Sequence, residues 1–175
     1  MPAEWMTVSP VLIPVQSNIT GMYSSIHLAD GYAIALPAAA STDPEVLARF
    51  MFAHQPAWIG KLMGVRDTLV AWLGLKTGKH LKTLEHAARA ERVGIFKIYS
   101  RSDTEIVVGE DDKHLDFRVS VLRSSGPTLT VSTVVHCHNL LRRVYLVVIA
   151  PFHRMVVKAS LRRAAQIGWP QAGIG

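Results

Sequence analysis

Alternation of apolar and polar side chains dominates the second half of the chain and is clearest after the acidic turn at residues 109–113. Successive side chains of a strand point to opposite faces of a sheet. One face of the strand that begins there carries three ionisable side chains, those of His114, Asp116 and Arg118. The other face is apolar and includes Phe117. Only one of these two faces can point toward the interior of the protein: the face with the ionisable side chains or the face with Phe117.

Similar runs of β-branched and apolar residues predict further strands. The predicted strands span residues 32–36, 93–100, 104–109, 114–123, 128–138 and 143–150. From residue 93 onward the connections are too short for parallel crossovers, which need a dozen or more residues. These strands are therefore predicted to pair as antiparallel neighbours.

Helical patterns lie before and after these strands. Asp43 followed by Pro44 is typical of a helix start, because Asp accepts hydrogen bonds from free N–H groups and Pro suits the first position. Apolar residues spaced by three or four predict a second helix from Pro56 to Gly74. Pro151 is predicted to open a long final helix. Residues 75–92 fit either a further helix or a surface connection, and the pattern does not choose.

These elements predict an α+β protein. A curved antiparallel sheet of about six strands would wrap round the long C-terminal helix, with two helices after the first strand. Residues 1–29 are predicted to form an extended arm, residues 30–167 a single domain, and residues 168–175 a tail.

Composition narrows the class of protein. The 175 residues are 49% apolar and 18% charged, which is typical of a folded domain. The net charge of +6 comes from scattered basic residues with few aromatic ones, so we expect no nucleic-acid partner. The apolar run 144–152 is too short to span a bilayer, and the N-terminus lacks the pattern of a signal peptide. A single cysteine, Cys137, excludes an internal disulfide and favours a cytoplasmic location.

Three segments carry a resemblance to a known family. They are residues 56–78, residues 109–118 and Ala150-Pro151-Phe152-His153-Arg154. Across roughly residues 30–165 the chain resembles domain-of-unknown-function family 2867, which is similar in architecture to START and Bet v 1-like proteins. That resemblance implies a helix-grip fold, in which a curved sheet closes round one helix and often leaves a cavity. Some relatives carry such a domain behind an NAD(P)-binding domain. This chain has no Gly-x-Gly-x-x-Gly motif, so we expect no dinucleotide and no other cofactor.

Several side chains are candidates for binding a ligand. The candidate residues are His114, Asp116, Arg118, His136, His138, Tyr145, His153 and Arg154. His136 and His138 project to the same side of one strand and could hold a metal with a third ligand, but no complete metal motif is present. His153 and Arg154 lie near the predicted start of the final helix, where an anion is favoured. Each group also has a purely structural interpretation, as a salt bridge or a solvated face.

The leading hypothesis is a module that binds a small, largely apolar ligand with a polar or anionic end. Apolar walls are expected from Phe117, Val119, Val147 and Met155. One alternative is an enzyme of the cyclase or isomerase type that uses His114 and Asp116 as acid and base beside Arg118. Another is a structural or interaction domain with a filled core. The sequence implies no catalytic residue with certainty and no oligomeric state.

Overall fold

A seven-stranded antiparallel sheet forms the centre of the protein, one strand more than predicted. The computed structural model describes residues 4–72, 92–111 and 115–173. In chain order the strands are β1 (Ser9–Pro10), β2 (Leu28–Ala35), β3 (Arg92–Val93), β4 (Phe96–Arg101), β5 (Glu105–Asp111), β6 (Leu115–Arg123) and β7 (Thr128–Cys137). Their order across the sheet is β1-β2-β7-β6-β5-β4-β3, and all neighbours are antiparallel. The antiparallel pairing predicted from the short connections is confirmed.

Three α-helices accompany the sheet in the described residues, together with a short 3-10 helix at Glu4–Met6. They are α1 (Pro44–Ala53), α2 (Ala57–Trp72) and α3 (Leu140–Ile167). The start of α1 is as predicted, since Asp43 Oδ1 accepts a hydrogen bond from the Glu45 N–H at 2.8 Å. The predicted second helix is present as α2, while Gly74 and most of 75–92 lie outside the described residues.

The strand predicted at residues 143–150 is wrong, because these residues form the first half of α3. The helix begins after Asn139, whose side chain accepts a hydrogen bond from the Arg142 N–H at 3.0 Å. Pro151, predicted at the first helical position, instead lies inside the helix. The run is rich in Val, Ile and Tyr, which favour strands locally. Burial of Leu146 and Ala150, four residues apart, against the sheet overrides that preference.

The first predicted strand was placed too late in the chain. It starts at Leu28 rather than residue 32. Asp30 and Gly31 are residue types typical of a turn, which led to the late start in the prediction. In the structure they pair with Thr133 and Ser132 of β7 and so belong to the strand. Residues 168–173 are also held against the fold. Trp169 is buried in the main core, and Gln171 pairs with Ala40.

The two faces of the sheet are covered by different parts of the chain. The face toward α1 and α3, which we call the helix face, contains the main core with Ile106, Val121, Val131 and Leu161. The opposite face, which we call the arm face, is covered by part of the N-terminal arm. Ile19 of the arm is fully buried there, in one cluster with Val107 and Val134.

The helix α3 is long and apolar enough to cross a membrane, judged by its length and composition alone. The 18-residue window that meets this test has a mean hydropathy of 1.5, and 22% of it is buried in the protein. The sequence prediction considered only residues 144–152 and so missed the length of this helix.

Candidate functional site

The register of β6 shows which of its faces points toward the terminal helix. Phe117 pairs with Val135 and packs beside Leu146 and Ala150 of α3, so it lies on the helix face. Asp116 and Arg118 alternate with Phe117 and therefore lie on the arm face. His114 lies outside the described residues. The ionisable side chains of β6 thus point away from the space beneath α3.

Arg118 is held by the neighbouring strand. Its side chain is 8% exposed, and its two terminal nitrogens bind the carboxylate of Asp111 at 2.7 and 3.1 Å. The ring of Tyr99 lies 3.4 Å from the centre of the guanidinium group. Hydrogen bonds from Arg118 lower the pKa of Asp111, while burial raises the pKa of Tyr99 to about 12. Since its charge is already neutralised by a bidentate pair, Arg118 is poorly placed to bind an anionic ligand.

His136 of β7 and His138, which directly follows that strand, have separate partners on the arm face. His138 Nε2 lies 3.0 Å from Asp116 Oδ2. His136 Nδ1 lies 2.7 Å from the carbonyl oxygen of Ser25, which can only accept, so His136 carries its proton on Nδ1. Among the described residues, no three His, Cys, Asp or Glu side chains lie close enough together to hold a metal ion. Cys137 points to the helix face, away from both histidines, and is buried there as expected.

A buried carboxylate fixes the arm to the sheet. Glu105 is 2% exposed. It accepts hydrogen bonds from the hydroxyls of Ser17 and Ser120, both at 2.5 Å, and from the Asn18 N–H at 3.0 Å. Three donors satisfy this carboxylate, so its role is structural. The sequence analysis missed it.

The contact between α3 and the sheet is apolar at both ends and polar in the middle. At one end, Leu146 and Ala150 pack on Leu28. At the other end, Leu161 packs in the main core beside Tyr32. Between these ends, Asp30 of β2 faces His153 and Arg154 of α3. We call these three residues the polar centre.

The polar centre is incompletely bonded. The Asp30 side chain is 10% exposed, and its oxygens lie 3.4 Å from His153 Nε2 and 3.7 Å from Arg154 Nε, which is long for a hydrogen bond. Neither carboxylate oxygen has a hydrogen-bond partner, and neither do His153 Nε2 and the hydroxyl of Thr133, the residue paired with Asp30. Buried polar atoms in folded proteins almost always have partners. Four such atoms lie together at the polar centre.

Tyr32 extends this group toward the other end of the contact. It follows Asp30 by two residues on the same strand and therefore shares the helix face. Lys158 Nζ lies 5.3 Å from the centre of its ring. Burial, followed by the nearby Asp30 charge, raises the pKa of the Tyr32 hydroxyl. Tyr32 therefore stays neutral and able to donate a hydrogen bond.

An open groove of about 530 Å³ lies at the start of α1 and is an alternative site. Apart from the exposed Asp103, its charged groups have partners. Arg101 binds Glu45 at 2.9 Å, and Asp43 caps the helix. The groove therefore lacks the unsatisfied polar atoms that distinguish the polar centre.

The candidate residues from the sequence are thus divided between the two faces. His153 and Arg154 belong to the polar centre, whereas Asp116, Arg118, His136 and His138 lie on the arm face. Tyr145 is half-buried on α3.

The apolar walls expected beneath α3 are only partly present. Phe117 and Val119 point to the helix face, but Val147 is 73% and Met155 47% exposed. Met155 is on the side of α3 opposite to Leu146 and Ala150, and Val147 is turned away from the sheet. Val147 was misplaced because residues 143–150 were predicted to form a strand.

Asp30 and Thr133 were missed as site residues. The signal was present in the sequence, since Asp30 shares its strand face with Leu28, Tyr32 and Ile34. A charged residue within an apolar strand face is unusual. It was overlooked because the first strand was predicted to start only at residue 32, after Asp30.

Fold and site together define an α+β protein with a polar group enclosed between an antiparallel sheet and its terminal helix. The family model of proteins of unknown function (DUF2867) matches residues 22–160, and the chain belongs to this family. The match includes both Asp30 and His153. Comparisons with curated proteins and with solved structures found no match.

Proposed function

We propose that the protein binds a small, largely apolar molecule between the sheet and α3, with the polar end of that molecule at the polar centre. The observation that supports this most strongly is the group of unsatisfied buried atoms on Asp30, Thr133 and His153. A long terminal helix over an antiparallel sheet is also consistent with a helix-grip architecture of the START and Bet v 1-like kind. Ligand sites on that architecture lie between helix and sheet.

The donors and acceptors of the polar centre restrict the chemistry of the ligand. Asp30 offers two acceptor oxygens, while Arg154 and Tyr32 offer donors. A hydroxyl group suits this arrangement, because it donates to the carboxylate and accepts from the guanidinium. An anionic end would suit Arg154 but would be repelled by Asp30. We therefore propose a neutral polar end, such as an alcohol, on an apolar body that lies against Leu28 and Leu146.

Native mass spectrometry of gently purified protein tests this proposal. We expect a bound organic molecule of low mass in the wild type and its loss in the Asp30→Ala variant, because the ligand's donor then has no acceptor. The matched control is Asp103→Ala, which removes an exposed carboxylate from the groove at α1. This control is expected to retain the ligand.

Two results would contradict the proposal. Retention of the molecule by Asp30→Ala together with its loss in Asp103→Ala would place the ligand in the groove at α1. Absence of any bound molecule, with a crystal structure showing side chains filling the space beneath α3, would support the alternative of a structural domain.

A second candidate function is an enzyme on the same fold, and the contact between His138 and Asp116 favours it. A histidine held by a carboxylate at 3.0 Å is a common acid–base arrangement. Arg118 is bound to Asp111 and would not assist. If the co-purified molecule is consumed by the wild type, turnover that is lost in His138→Gln but kept in Asp103→Asn would support this alternative.

A further inference from the structure

The outward side of the first half of α3 is apolar and exposed. Its residues are Leu140, Val144, Val147, Val148, Phe152 and Met155, with exposures between 43% and 73%. They lie on the exposed sides of the helix, whereas Leu146 and Ala150 pack on the sheet. We call these six residues the apolar strip. Monomeric proteins rarely expose contiguous apolar patches of this kind without a partner.

The charge of α3 indicates the chemistry of that partner. The helix contains six Lys or Arg residues and no Asp or Glu. Helical spacing places Arg162 on the same side of the helix as the apolar strip, two turns beyond Met155. Arg143 and Arg154 lie along one border of the strip. An apolar strip bordered by positive charge and free of acidic groups is complementary to an anionic lipid surface.

We propose that the apolar strip docks on an anionic lipid bilayer, with α3 lying in the plane of the interface. The composition of the helix would also permit a membrane span. Spanning conflicts with the fold, however, because Leu161, Ala164 and Ala165 of the same helix form part of the main core. Pairing of two copies through the strip is disfavoured, since it would bring two purely basic helices together.

Co-sedimentation with vesicles tests the proposal. The vesicles consist of phosphatidylcholine alone or contain about 30% phosphatidylserine, which carries the negative charge. We expect binding to the anionic vesicles and much weaker binding to the neutral ones, with a loss of binding as salt is raised. Replacement of Arg162 by Gln removes one interfacial charge and is expected to weaken binding about fivefold.

The apolar contribution is tested by the double substitution Val144→Glu and Val147→Glu. Placing two carboxylates in the interface is expected to weaken vesicle binding more than about tenfold. The matched control is Val15→Glu on the arm, a valine that is even more exposed. It is expected to bind the vesicles within about twofold of the wild type, because it adds only one charge outside the strip. Thermal melts of all variants check folding, and the double variant is expected to melt as the wild type does.

Three results would overturn the proposal. Equal binding to neutral and anionic vesicles would show that the basic residues of α3 do not recognise negatively charged lipid. A dimer that the double variant dissociates, without vesicle binding by the wild type, would assign the strip to contacts between copies. A strongly lowered melting temperature of the double variant would show that the strip is covered within the protein itself.

Discussion

The helix face and the arm face of the sheet both carry buried charged groups, but they satisfy them differently. On the arm face, Arg118 binds Asp111 at 2.7 Å, and Glu105 accepts three hydrogen bonds. On the helix face, the oxygens of Asp30 have no hydrogen-bond partner and lie 3.4 Å or more from the nearest cations. The charges of Arg118 and Glu105 on the arm face are thus satisfied, while the carboxylate of Asp30 on the helix face remains available.

This difference changes which residues are relevant to function. The ionisable side chains of β6 are the most conspicuous in the sequence, yet on the described part of that strand they hold the fold together. Asp30, which has no conspicuous motif around it, is the residue to which the proposed ligand would bind. Incomplete bonding distinguishes a binding residue from a structural one better than charge does, because folding favours satisfied polar groups and binding requires unsatisfied ones.

The largest effect on stability is expected from Glu105→Ala on the arm face. This change leaves the buried hydroxyls of Ser17 and Ser120 without their acceptor and creates a cavity. We expect the free energy of unfolding to fall by about 3 kcal/mol in denaturant titrations. Asp103→Ala, at an exposed position, serves as the control and is expected to have almost no effect. A loss below about 1 kcal/mol for Glu105→Ala would show that the arm is not held by this carboxylate.

A smaller effect is expected from Asp111→Asn. The guanidinium of Arg118 then stays buried without a counter-charge, but Asp111 is 53% exposed, so water reaches the pair and reduces the cost. We expect the free energy of unfolding to fall by about 2 kcal/mol, measured by denaturant titration at neutral pH.

The pH dependence of the same variant provides its check. Hydrogen bonds from Arg118 lower the pKa of Asp111 in the folded protein below its unfolded-state value of 3.8. The ion pair therefore stabilises the fold fully above pH 3.8, and this stabilisation is lost as the pH falls through the lowered pKa of the folded state. The difference in stability between wild type and Asp111→Asn should therefore narrow below that pH. A difference that stays constant down to the acid transition would show that the pair does not account for it.

Much of the fold could be predicted from local patterns. The start of α1 follows from Asp43 and Pro44, and the antiparallel strands β4 to β7 follow from alternation and short connections. The first half of α3 could not be predicted, because the local preference of its Val and Ile residues for strands is overridden by packing on the sheet. Two observed strands, β1 and β3, were not predicted as separate strands, because each has only two residues, too few to show a pattern.

The site was less predictable than the fold. His153 and Arg154 were identified from their position near a helix start, although the helix in fact begins much earlier, at Leu140. Their partner Asp30 was not identified as a site residue. Its contact with them depends on the pairing of β2 with β7 and on the position of α3 above β2. Such contacts between distant segments leave no local pattern, apart from the charged residue on an apolar strand face.

The variant Asp30→Leu on the helix face is expected to have the smallest effect on stability. It tests the comparison between the two faces of the sheet most directly. The measurement is the free energy of unfolding of protein that has been denatured, freed of any bound molecule and refolded. Since Asp30 has no hydrogen bond, and Arg154 is half exposed, an apolar side chain should fit the apolar surroundings better. We predict an increase of about 1 kcal/mol over the wild type, with loss of the co-purified molecule. A decrease of about 1 kcal/mol or more would contradict the account, because it would show that Asp30 holds α3 to the sheet as a structural ion pair.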